Sequence, residues 1–334
     1  MSKQTKIAIN GFGRIGRSVL RIPLTHPEIE VVAVNDPGET ATLAHLLKYD
    51  TVYGKFTLPV EVEGDNLVVD GVKIPTSHDR NPENLPWQEL GVEVVLECTG
   101  AFKTYDEVAG HIRAGAKKVI ISAPAKDEKI KTFLFGTNHK DYNGEDVVSM
   151  GSCTTNCISP VMKVMNDKFG VEKSLMTTIH AYTSTQNLVD NKHKDLRRAR
   201  AAAQNIIPTS TGAAIVTTKI IPDLVGNFDG MALRVPTATG SISDMVIITK
   251  KDTSVEEVNL ALTDASQNEY KGIMDVTEEP LVSSDFIGNS YCSIVDLSLT
   301  KVIGGNMVKI ISWYDNEWGY SSKLVDMVKL VVGK

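Results

Sequence analysis

The stretch Ile7-Ala8-Ile9-Asn10-Gly11-Phe12-Gly13-Arg14-Ile15-Gly16 decides the fold of the first part of the chain. Its first three residues form an apolar run that is typical of a buried parallel strand. A G-x-G-x-x-G sequence follows at once, and a helical apolar pattern continues through Val19, Leu20 and Ile22. Because proline removes a backbone donor and clashes with the preceding turn, Pro23 predicts that the helix ends or kinks near Ile22. The stretch therefore predicts a strand, a glycine-rich turn and a helix.

A second apolar strand and an acidic residue extend this pattern. The strand Val31-Val32-Ala33-Val34 leads to Asp36, which lies 20 residues after Gly16. A carboxylate at this distance binds the adenosine ribose in dinucleotide-binding folds, and the glycines let backbone N–H groups approach a pyrophosphate. The alternative is a tight turn with a solvent-facing Asp36. The coincidence of strand, glycines, helix, second strand and acid favours a dinucleotide-binding domain.

Later strands indicate where a ligand would lie in this domain. Residues 56–62 and 67–69 are strand-like and separated by turn residues, which predicts antiparallel strands inserted in an otherwise parallel sheet. Parallel strands are predicted to resume at residues 92–97 and 118–121. The ligand crevice of an open α/β sheet lies at the carboxyl ends of its strands. The candidate cofactor contacts beyond these ends are Thr99, Phe102 and Ser122.

The stretch Gly151-Ser152-Cys153-Thr154-Thr155-Asn156-Cys157 joins two differently patterned halves. Cys153 lies between an apolar strand and a predicted helix, where the positive field of a helix N-terminus lowers the pKa of a thiol. Ser152, Thr154 and Thr155 add hydroxyl donors and candidates for the N-cap. A buried, inert cysteine is nevertheless the usual state of a free thiol, and spacing alone favours that alternative for Cys153. Cys157 is interpreted as core, because a Cys-x3-Cys pair is a poor metal site.

The second half predicts a mainly antiparallel sheet with helices. A strand at residues 176–182 carries His180, a candidate base for Cys153, although a lone histidine is more often structural. Residues 209–214 open a helix that offers hydroxyl and N–H donors to an anion, and Arg234 is a second anion candidate. The long basic segment 183–204 is predicted to be an ordered loop with a role in function or at an interface. Further elements are predicted at residues 159–169, 242–249, 255–268, 292–298, 307–314 and 318–331.

Composition limits the functional classes. The chain has 334 residues, enough for two domains, and its net charge of −6 argues against nucleic-acid binding. No apolar run is long enough to cross a bilayer, and the N-terminal residues show no signal or transit pattern. The four cysteines are few and scattered. A cytoplasmic protein in a reducing compartment fits this usage.

Seven blocks of the sequence together resemble one enzyme family along the whole chain and in the family's order. These blocks are Ile9–Arg17, Ser152–Cys157, His180–Thr183, Leu196–Ala203, Pro208–Ala214, Arg234–Thr237 and Trp313–Tyr320. The family is phosphorylating glyceraldehyde-3-phosphate dehydrogenase. The resemblance implies an α/β protein with a Rossmann-type domain of residues 1–151, completed by a C-terminal helix over 316–334. It also implies an α+β catalytic domain of residues 152–315 with a mainly antiparallel sheet.

The resemblance also implies roles for individual residues. Cys153 is the implied nucleophile and His180 the implied base, and Thr183 and Arg234 are implied to hold the substrate phosphate. The residues implied for the inorganic phosphate site are Ser152, Thr154, Arg198, Thr211 and Gly212. The residues assigned to the cofactor are Gly11, Phe12, Gly13, Arg14, Ile15, Asp36, Arg80, Thr99, Phe102, Ser122, Asn316 and Tyr320. The implied substrates are glyceraldehyde 3-phosphate and inorganic phosphate, and the implied assembly is a homotetramer that packs around the loop 183–204.

NAD is the expected cofactor, with incomplete discrimination against NADP. Asp36 favours NAD because a carboxylate repels a 2′-phosphate. Pro37-Gly38 removes side-chain bulk beside Asp36, and Lys192 lies in the loop that the resemblance brings near the ribose of a neighbouring subunit. Both features are expected to leave NADP usable.

Two other functions remain open on sequence grounds. Erythrose-4-phosphate dehydrogenase shares the cysteine and histidine, but the complete set of anion-binding residue types favours the first reading. The second alternative is a non-catalytic NAD-binding regulator or RNA-binding protein. The presence of Cys153, His180 and Asn316 argues against this alternative.

Overall fold

The computed structural model describes residues 4–23 and 26–333 of the chain. The described chain divides into two compact units. The first contains the residues up to Phe133, Asp141–Gly151 and the residues from Ser321 onward, and the second contains Leu134–Lys140 and Ser152–Tyr320. Among the helices in this part of the chain, none is both long and apolar enough to cross a membrane.

The first unit is built around a mostly parallel sheet. Its helices are α1 (Arg14–Arg21), α2 (Thr40–Lys48), α3 (Trp87–Leu90) and α4 (Tyr105–Arg113). Its strands are β1 (Thr5–Asn10), β2 (Ile29–Asn35), β3 (Tyr49–Asp50), β4 (Gly54–Lys55), β5 (Val60–Glu63), β6 (Asn66–Val69), β7 (Val72–Ser77), β8 (Val94–Glu97), β9 (Lys118–Ile121), β10 (Lys131–Thr132) and β11 (Val147–Ser149).

Nine of these strands form one sheet in the order β10-β11-β9-β8-β1-β2-β7-β6-β5. All neighbours from β10 to β7 are parallel, and β5, β6 and β7 pair antiparallel at one edge. The predicted antiparallel strands therefore exist, but they extend the sheet at its edge instead of lying within it. In the sheet, β1 lies between β2 and β8. The strand order reverses at β1, and such a reversal creates a crevice at the carboxyl end of the strand.

The first helix forms as the sequence predicts. It ends at Arg21 with Ile22 as its C-cap, directly before Pro23. Every residue of β8 is buried, and so are most residues of β1 and β9. Burial on both faces explains why these strands are continuous apolar runs and not alternating ones.

The second unit combines one large sheet with long helices. Its helices are α5 (Cys153–Phe169), α6 (Ala213–Ile220), α7 (Val255–Gln267) and the start of α8 (Trp318–Val331), which continues into the residues of the first unit. Its strands are β12 (Val171–Ala181), β13 (Ile207–Ser210), β14 (Phe228–Val235), β15 (Ser241–Thr249), β16 (Met274–Thr277), β17 (Ser293–Asp296), β18 (Lys301–Ile303) and β19 (Met307–Tyr314).

The sheet of the second unit has the order β13-β14-β12-β15-β19-β17-β16, with β18 paired to β19. Its pairs are antiparallel except β12 with β14 and β16 with β17, which confirms the predicted mainly antiparallel sheet. Residues of β15 alternate between buried and half-buried, because helices α5, α6 and α7 cover one face of the sheet. The parallel pair of β12 and β14 places His180 opposite Arg234.

Candidate active site

The glycine-rich turn of the first unit has the shape that a dinucleotide pyrophosphate needs. Gly11 has φ of +91°, and a Cβ there would lie 2.6 Å from the backbone nitrogen of Thr99. A Cβ at Gly16 would lie 2.1 Å from the carbonyl oxygen of Gly11. No described atom lies within 4 Å of a Cβ built at Gly13. Gly11 and Gly16 therefore permit the tight turn, and Gly13 leaves space for the backbone to approach a ligand.

A cleft of about 290 Å³ opens at this turn, at the carboxyl ends of the parallel strands. Its lining includes six residues that the sequence assigned to the cofactor, namely Gly11, Gly13, Asp36, Arg80, Thr99 and Phe102. The residues present fit a dinucleotide, because an open helix N-terminus, a carboxylate and an aromatic ring line one cavity.

Asp36 is held in place by backbone donors. Its Oδ2 accepts from the N–H of Phe12 and its Oδ1 from the N–H of Gly38, both at 2.8 Å. A Cβ at position 38 would lie 3.1 Å from Asp36 Oδ1. The glycine therefore keeps side-chain atoms away from this carboxylate, and the use of NADP stays a prediction.

Six predicted cofactor residues do not line the cleft, and four of them belong to the first unit, namely Phe12, Arg14, Ile15 and Ser122. The ring of Phe12 is buried, and the Arg14 side chain turns away to pair with Asp50. Arg14 and Ile15 can instead offer their backbone N–H groups, which lie in the first turn of α1. Ser122 is half-buried and donates its backbone N–H to the carbonyl of Glu97 at 2.9 Å.

A buried polar network lies behind the cleft, and the sequence analysis did not identify it. The indole N–H of Trp87 donates to His111 Nδ1 at 2.9 Å. Since that nitrogen accepts, the ring proton is on Nε2, which donates to Glu97 Oε2 at 3.2 Å. Glu97 also accepts from the Asn10 amide and, at 2.8 Å, from the backbone N–H of Thr99. The network therefore fixes two residues of the cleft wall, Asn10 and Thr99.

In the second unit, the start of α5 and the end of β12 bring Cys153 and His180 together. The Cys153 sulfur lies 3.3 Å from His180 Nε2. Of the three candidates, Ser152 is the N-cap of α5, and its hydroxyl accepts from the N–H of Thr155 at 3.1 Å. The two predicted reactive groups are therefore within hydrogen-bonding distance.

The hydrogen-bond partners of His180 identify its tautomer. Nδ1 lies 2.7 Å from the carbonyl oxygen of Ala181, and a carbonyl can only accept. Nδ1 therefore carries the proton of the neutral ring. The lone pair on Nε2 faces Cys153, as a general base for the thiol requires.

Burial controls the charge of this pair. It raises the pKa of the Cys153 thiol above its ordinary value, although the Arg234 charge and hydrogen bonds from Thr154 oppose the increase. Burial and the Arg234 charge lower the pKa of His180 to about 3. The expectation of a lowered thiol pKa is therefore wrong for this structure, because the loss of hydration outweighs the Arg234 charge and the hydrogen bonds. At neutral pH the two groups form a neutral thiol–imidazole pair.

Arg234 lies beside both groups. Its Nη1 donates to the carbonyl of Ala181 at 2.8 Å and lies 2.9 Å from His180 Nδ1. Its buried Nε has no partner among the described residues. Burial lowers the pKa of Arg234, and repulsion from the Arg198 charge contributes to the decrease. Two guanidinium groups close enough to repel each other form a suitable environment for an anion.

The remaining anion candidates lie around the start of α6. Arg198 donates from Nε to the Thr209 hydroxyl at 2.8 Å and from Nη2 to the carbonyl of Ser210 at 3.3 Å. Gly212 is the N-cap of α6, and Thr211 accepts from the helix's first N–H at 3.2 Å. These contacts hold Arg198 next to the helix N-terminus, where orphan N–H groups favour an anion.

Two hydroxyls that were assigned to phosphate also have protein partners. Thr154 is 4% exposed, and its Oγ1 lies 2.9 Å from the Tyr314 hydroxyl. Thr183 Oγ1 lies 2.8 Å from Thr185 Oγ1. The backbone N–H of Thr154, in the first turn of α5, offers a further donor to an anion.

Asn316 and Tyr320 are both buried in the second unit. Asn316 Oδ1 accepts from the Ser241 hydroxyl at 2.9 Å and from the Thr239 hydroxyl at 3.4 Å. Because two donors face the oxygen, the amide NH₂ points the other way and can donate. No pattern around Thr239 or Ser241 indicated this contact in the sequence.

No group of three or more metal-ligating side chains occurs in residues 4–23 and 26–333.

Comparisons with known proteins agree with this arrangement. Residues 5–105 match the family model for the NAD binding domain of glyceraldehyde 3-phosphate dehydrogenase, and residues 152–316 match that for its C-terminal domain. The chain is 52% identical over 331 residues to the glyceraldehyde-3-phosphate dehydrogenase of Geobacillus stearothermophilus, covering 98% of each chain. It is also 52% identical to glyceraldehyde-3-phosphate dehydrogenase 1 of Bacillus subtilis, and the match covers 98% of each chain. It is 51% identical to glyceraldehyde-3-phosphate dehydrogenase 2 of Trichormus variabilis, and that match covers 98% of this chain and 99% of the relative. The chain therefore belongs to the glyceraldehyde-3-phosphate dehydrogenase family of NAD-binding oxidoreductases.

Proposed function

We propose that the protein oxidises glyceraldehyde 3-phosphate to 1,3-bisphosphoglycerate, using NAD⁺ and inorganic phosphate. The observation that carries the proposal is the 3.3 Å contact between the Cys153 sulfur and His180 Nε2, beside the cation of Arg234. A nucleophile, a base and a fixed cation are the parts that oxidation of a phosphorylated aldehyde through a covalent intermediate requires.

The first step is attack of Cys153 on the aldehyde. The thiol proton passes to His180 Nε2, and the sulfur forms a bond to the carbonyl carbon, which gives a thiohemiacetal. Arg234 stabilises the thiolate while it forms, since its charge lowers the pKa of Cys153. Its unpaired Nε is suited to the substrate phosphate.

His180 then removes the hydroxyl proton of the thiohemiacetal as the carbon loses its hydride. NAD, when bound, supplies the hydride acceptor. The acyl group remains on Cys153 as a thioester. Inorganic phosphate attacks this thioester and displaces the thiolate, and Arg198, Thr211 and Gly212 are suited to bind that phosphate.

We assign cofactor binding to the first unit and substrate binding and catalysis to the second. The glycine turn and the cleft around Asp36 support the first assignment. NAD is preferred because the Asp36 carboxylate, held by two backbone N–H groups, would repel a 2′-phosphate. Arg80 also lines the cleft, and its charge supports residual use of NADP.

Assembly as a homotetramer is the proposed state of the enzyme. Exposed apolar side chains occur in and near the loop 183–204, with Leu188 72%, Leu196 80% and Ile206 67% exposed. Exposed apolar groups in this number favour burial against another chain. A reducing, cytoplasmic location is also proposed, since all four cysteines are free thiols.

Steady-state kinetics with two aldehydes test the proposal. Turnover of glyceraldehyde 3-phosphate should exceed that of erythrose 4-phosphate and should depend on inorganic phosphate. Faster turnover of erythrose 4-phosphate would favour the related dehydrogenase. A protein that binds NAD but turns over neither aldehyde would be a non-catalytic binder.

A further inference from the structure

Tyr314 links the helix of the proposed nucleophile to the strand of the proposed base. It lies at the end of β19 and is 1% exposed. Its hydroxyl is 2.9 Å from Thr154 Oγ1 and 2.8 Å from Thr178 Oγ1. Thr154 follows Cys153 in the first turn of α5, and Thr178 precedes His180 by two residues on β12. One phenol therefore connects the two elements that bring Cys153 and His180 together.

The hydrogen bonds in this cluster have a definite direction. Thr178 donates its hydroxyl proton to the carbonyl of Ile242 at 3.3 Å. Each hydroxyl has one proton, so Tyr314 must donate to Thr178, and Thr154 must donate to Tyr314. The result is a chain from Thr154 through Tyr314 and Thr178 to the Ile242 carbonyl, in which every hydroxyl proton has an acceptor.

The ring of Tyr314 also contacts the imidazole directly. The two ring centroids are 5.9 Å apart and the rings are nearly perpendicular, at 77°. Edge-to-face contact of this kind restricts the plane of the His180 ring. Tyr314 thus has contacts to both sides of the reactive pair.

We propose that Tyr314 is a positioning residue whose hydroxyl chain reverses direction when Cys153 loses its proton. The thiol proton moves to His180 Nε2. The Thr154 hydroxyl then turns to donate to the sulfur, Tyr314 turns to donate to Thr154, and Thr178 turns to donate to Tyr314. Three O–H bonds rotate, and no hydroxyl proton changes its oxygen. The thiolate gains a hydrogen bond while all three hydroxyls keep an acceptor.

This inference rests on the proposed roles of Cys153 and His180. The groups that face Cys153 are His180 on β12, Arg234 on β14 and the first turn of its own helix, with Arg198 near Arg234. Among them, Arg234 supplies a fixed charge and Thr154 supplies hydrogen bonds, and both lower the pKa of Cys153 against the effect of burial. Burial raises the pKa of Tyr314 itself, so the phenol stays protonated and able to donate.

The test compares the purified Tyr314→Phe enzyme with the unmodified enzyme. The variant keeps the ring and removes one oxygen, so the hydrogen bonds that connect the Thr154 hydroxyl through Tyr314 to Thr178 are lost. The rate of iodoacetamide alkylation of Cys153 should shift to higher pH by roughly one unit, and kcat should fall by about tenfold to a hundredfold, the range expected for a hydrogen bond to a charged group. The dissociation constant for NAD should not change.

A second variant covers the possibility that Tyr314→Phe does not fold. Thr178→Val interrupts the chain one step later and should shift the alkylation profile in the same direction by less, while Thr178→Ser should restore the normal profile. Tyr142→Phe is the matched control, because it removes a phenol hydroxyl that donates to the Glu145 carbonyl at 3.0 Å in the first unit. It should leave alkylation and kcat unchanged.

Other outcomes would overturn the proposal. If Tyr314→Phe and Thr178→Val lower the melting temperature but leave the pH profile of Cys153 alkylation as in the unmodified enzyme, the role of Tyr314 is structural only. This failure is distinct from failure of the proposed function, which would show as turnover surviving in Cys153→Ser.

Discussion

Replacing Arg234 should affect both substrate recognition and the reactive pair. Its Nη1 lies 2.9 Å from His180 Nδ1 and 2.8 Å from the Ala181 carbonyl, while its Nε has no partner in the described part of the chain. The sequence alone predicts that Arg234→Leu impairs the phosphorylated aldehyde strongly and unphosphorylated glyceraldehyde little. The structure revises this expectation, because the same guanidinium also acts on Cys153 and His180.

The size of each effect follows from the contacts. A charge-assisted hydrogen bond to phosphate contributes about 1.5–3 kcal/mol, so kcat/KM for glyceraldehyde 3-phosphate should fall by an additional factor of roughly 10–150 relative to glyceraldehyde. The Arg234 charge lowers the pKa of both Cys153 and His180. Removing it should therefore raise both values, leave less thiolate at a given pH, and slow both substrates.

Two measurements separate these effects. The ratio of kcat/KM for the two aldehydes reports phosphate recognition, and the pH profile of Cys153 alkylation reports the electrostatic effect, which should move to higher pH. Arg113→Leu is a control, since Arg113 forms an exposed ion pair with Glu83 in the first unit. If Arg234→Leu leaves the alkylation profile in place and slows only the phosphorylated substrate, the electrostatic reasoning is refuted. Equal losses on both substrates would instead remove the phosphate-binding role.

Four further predictions concern single residues. Cys153→Ser should bind NAD but lose turnover, because an alcohol ionises far less readily than a thiol; inactivation by alkylation elsewhere, with Cys153 unmodified, would contradict the assignment. His180→Asn should lower kcat by roughly two to four orders of magnitude and shift Cys153 alkylation to higher pH, and an unchanged rate would place the base elsewhere. Asp36→Ala should raise kcat/KM for NADP relative to NAD, whereas Lys192→Ala should lower it; a wild-type enzyme that prefers NADP would show that Asp36 does not face the ribose. Gly16→Ala should weaken NAD binding measured by titration calorimetry, because its Cβ would lie 2.1 Å from the Gly11 carbonyl oxygen, and unchanged affinity would show that the turn can adjust.

The local arrangement of both units could be predicted from the sequence. The stretch from Ile7 to Gly16 gave the strand, turn and helix, since glycine spacing and apolar runs are properties of neighbouring residues. A hydroxyl N-cap among Ser152, Thr154 and Thr155, and an end or kink of the first helix near Pro23, were predictable for the same reason. Motif resemblance also indicated Cys153 and His180, although their roles remain a proposal.

Contacts between distant residues were decided only by the tertiary structure. Trp87, Glu97 and His111 belong to different elements, and the sheet and helices bring them together behind the cleft. Tyr314, Thr154 and Thr178 meet because β19, α5 and β12 converge in the second unit. Hydrogen bonds of this kind depend on distances between strands and helices, about which residue spacing carries no information.

The charge of the reactive pair also required the tertiary structure. The sequence placed Cys153 at a helix N-terminus, where the helix field favours the thiolate. The structure adds burial, which raises the pKa of the thiol and lowers that of His180. The sequence thus determines which groups are present and which local field they experience. Only the fold determines how much water they lose and how close Arg234 comes. These two effects oppose each other at Cys153 and act in the same direction at His180.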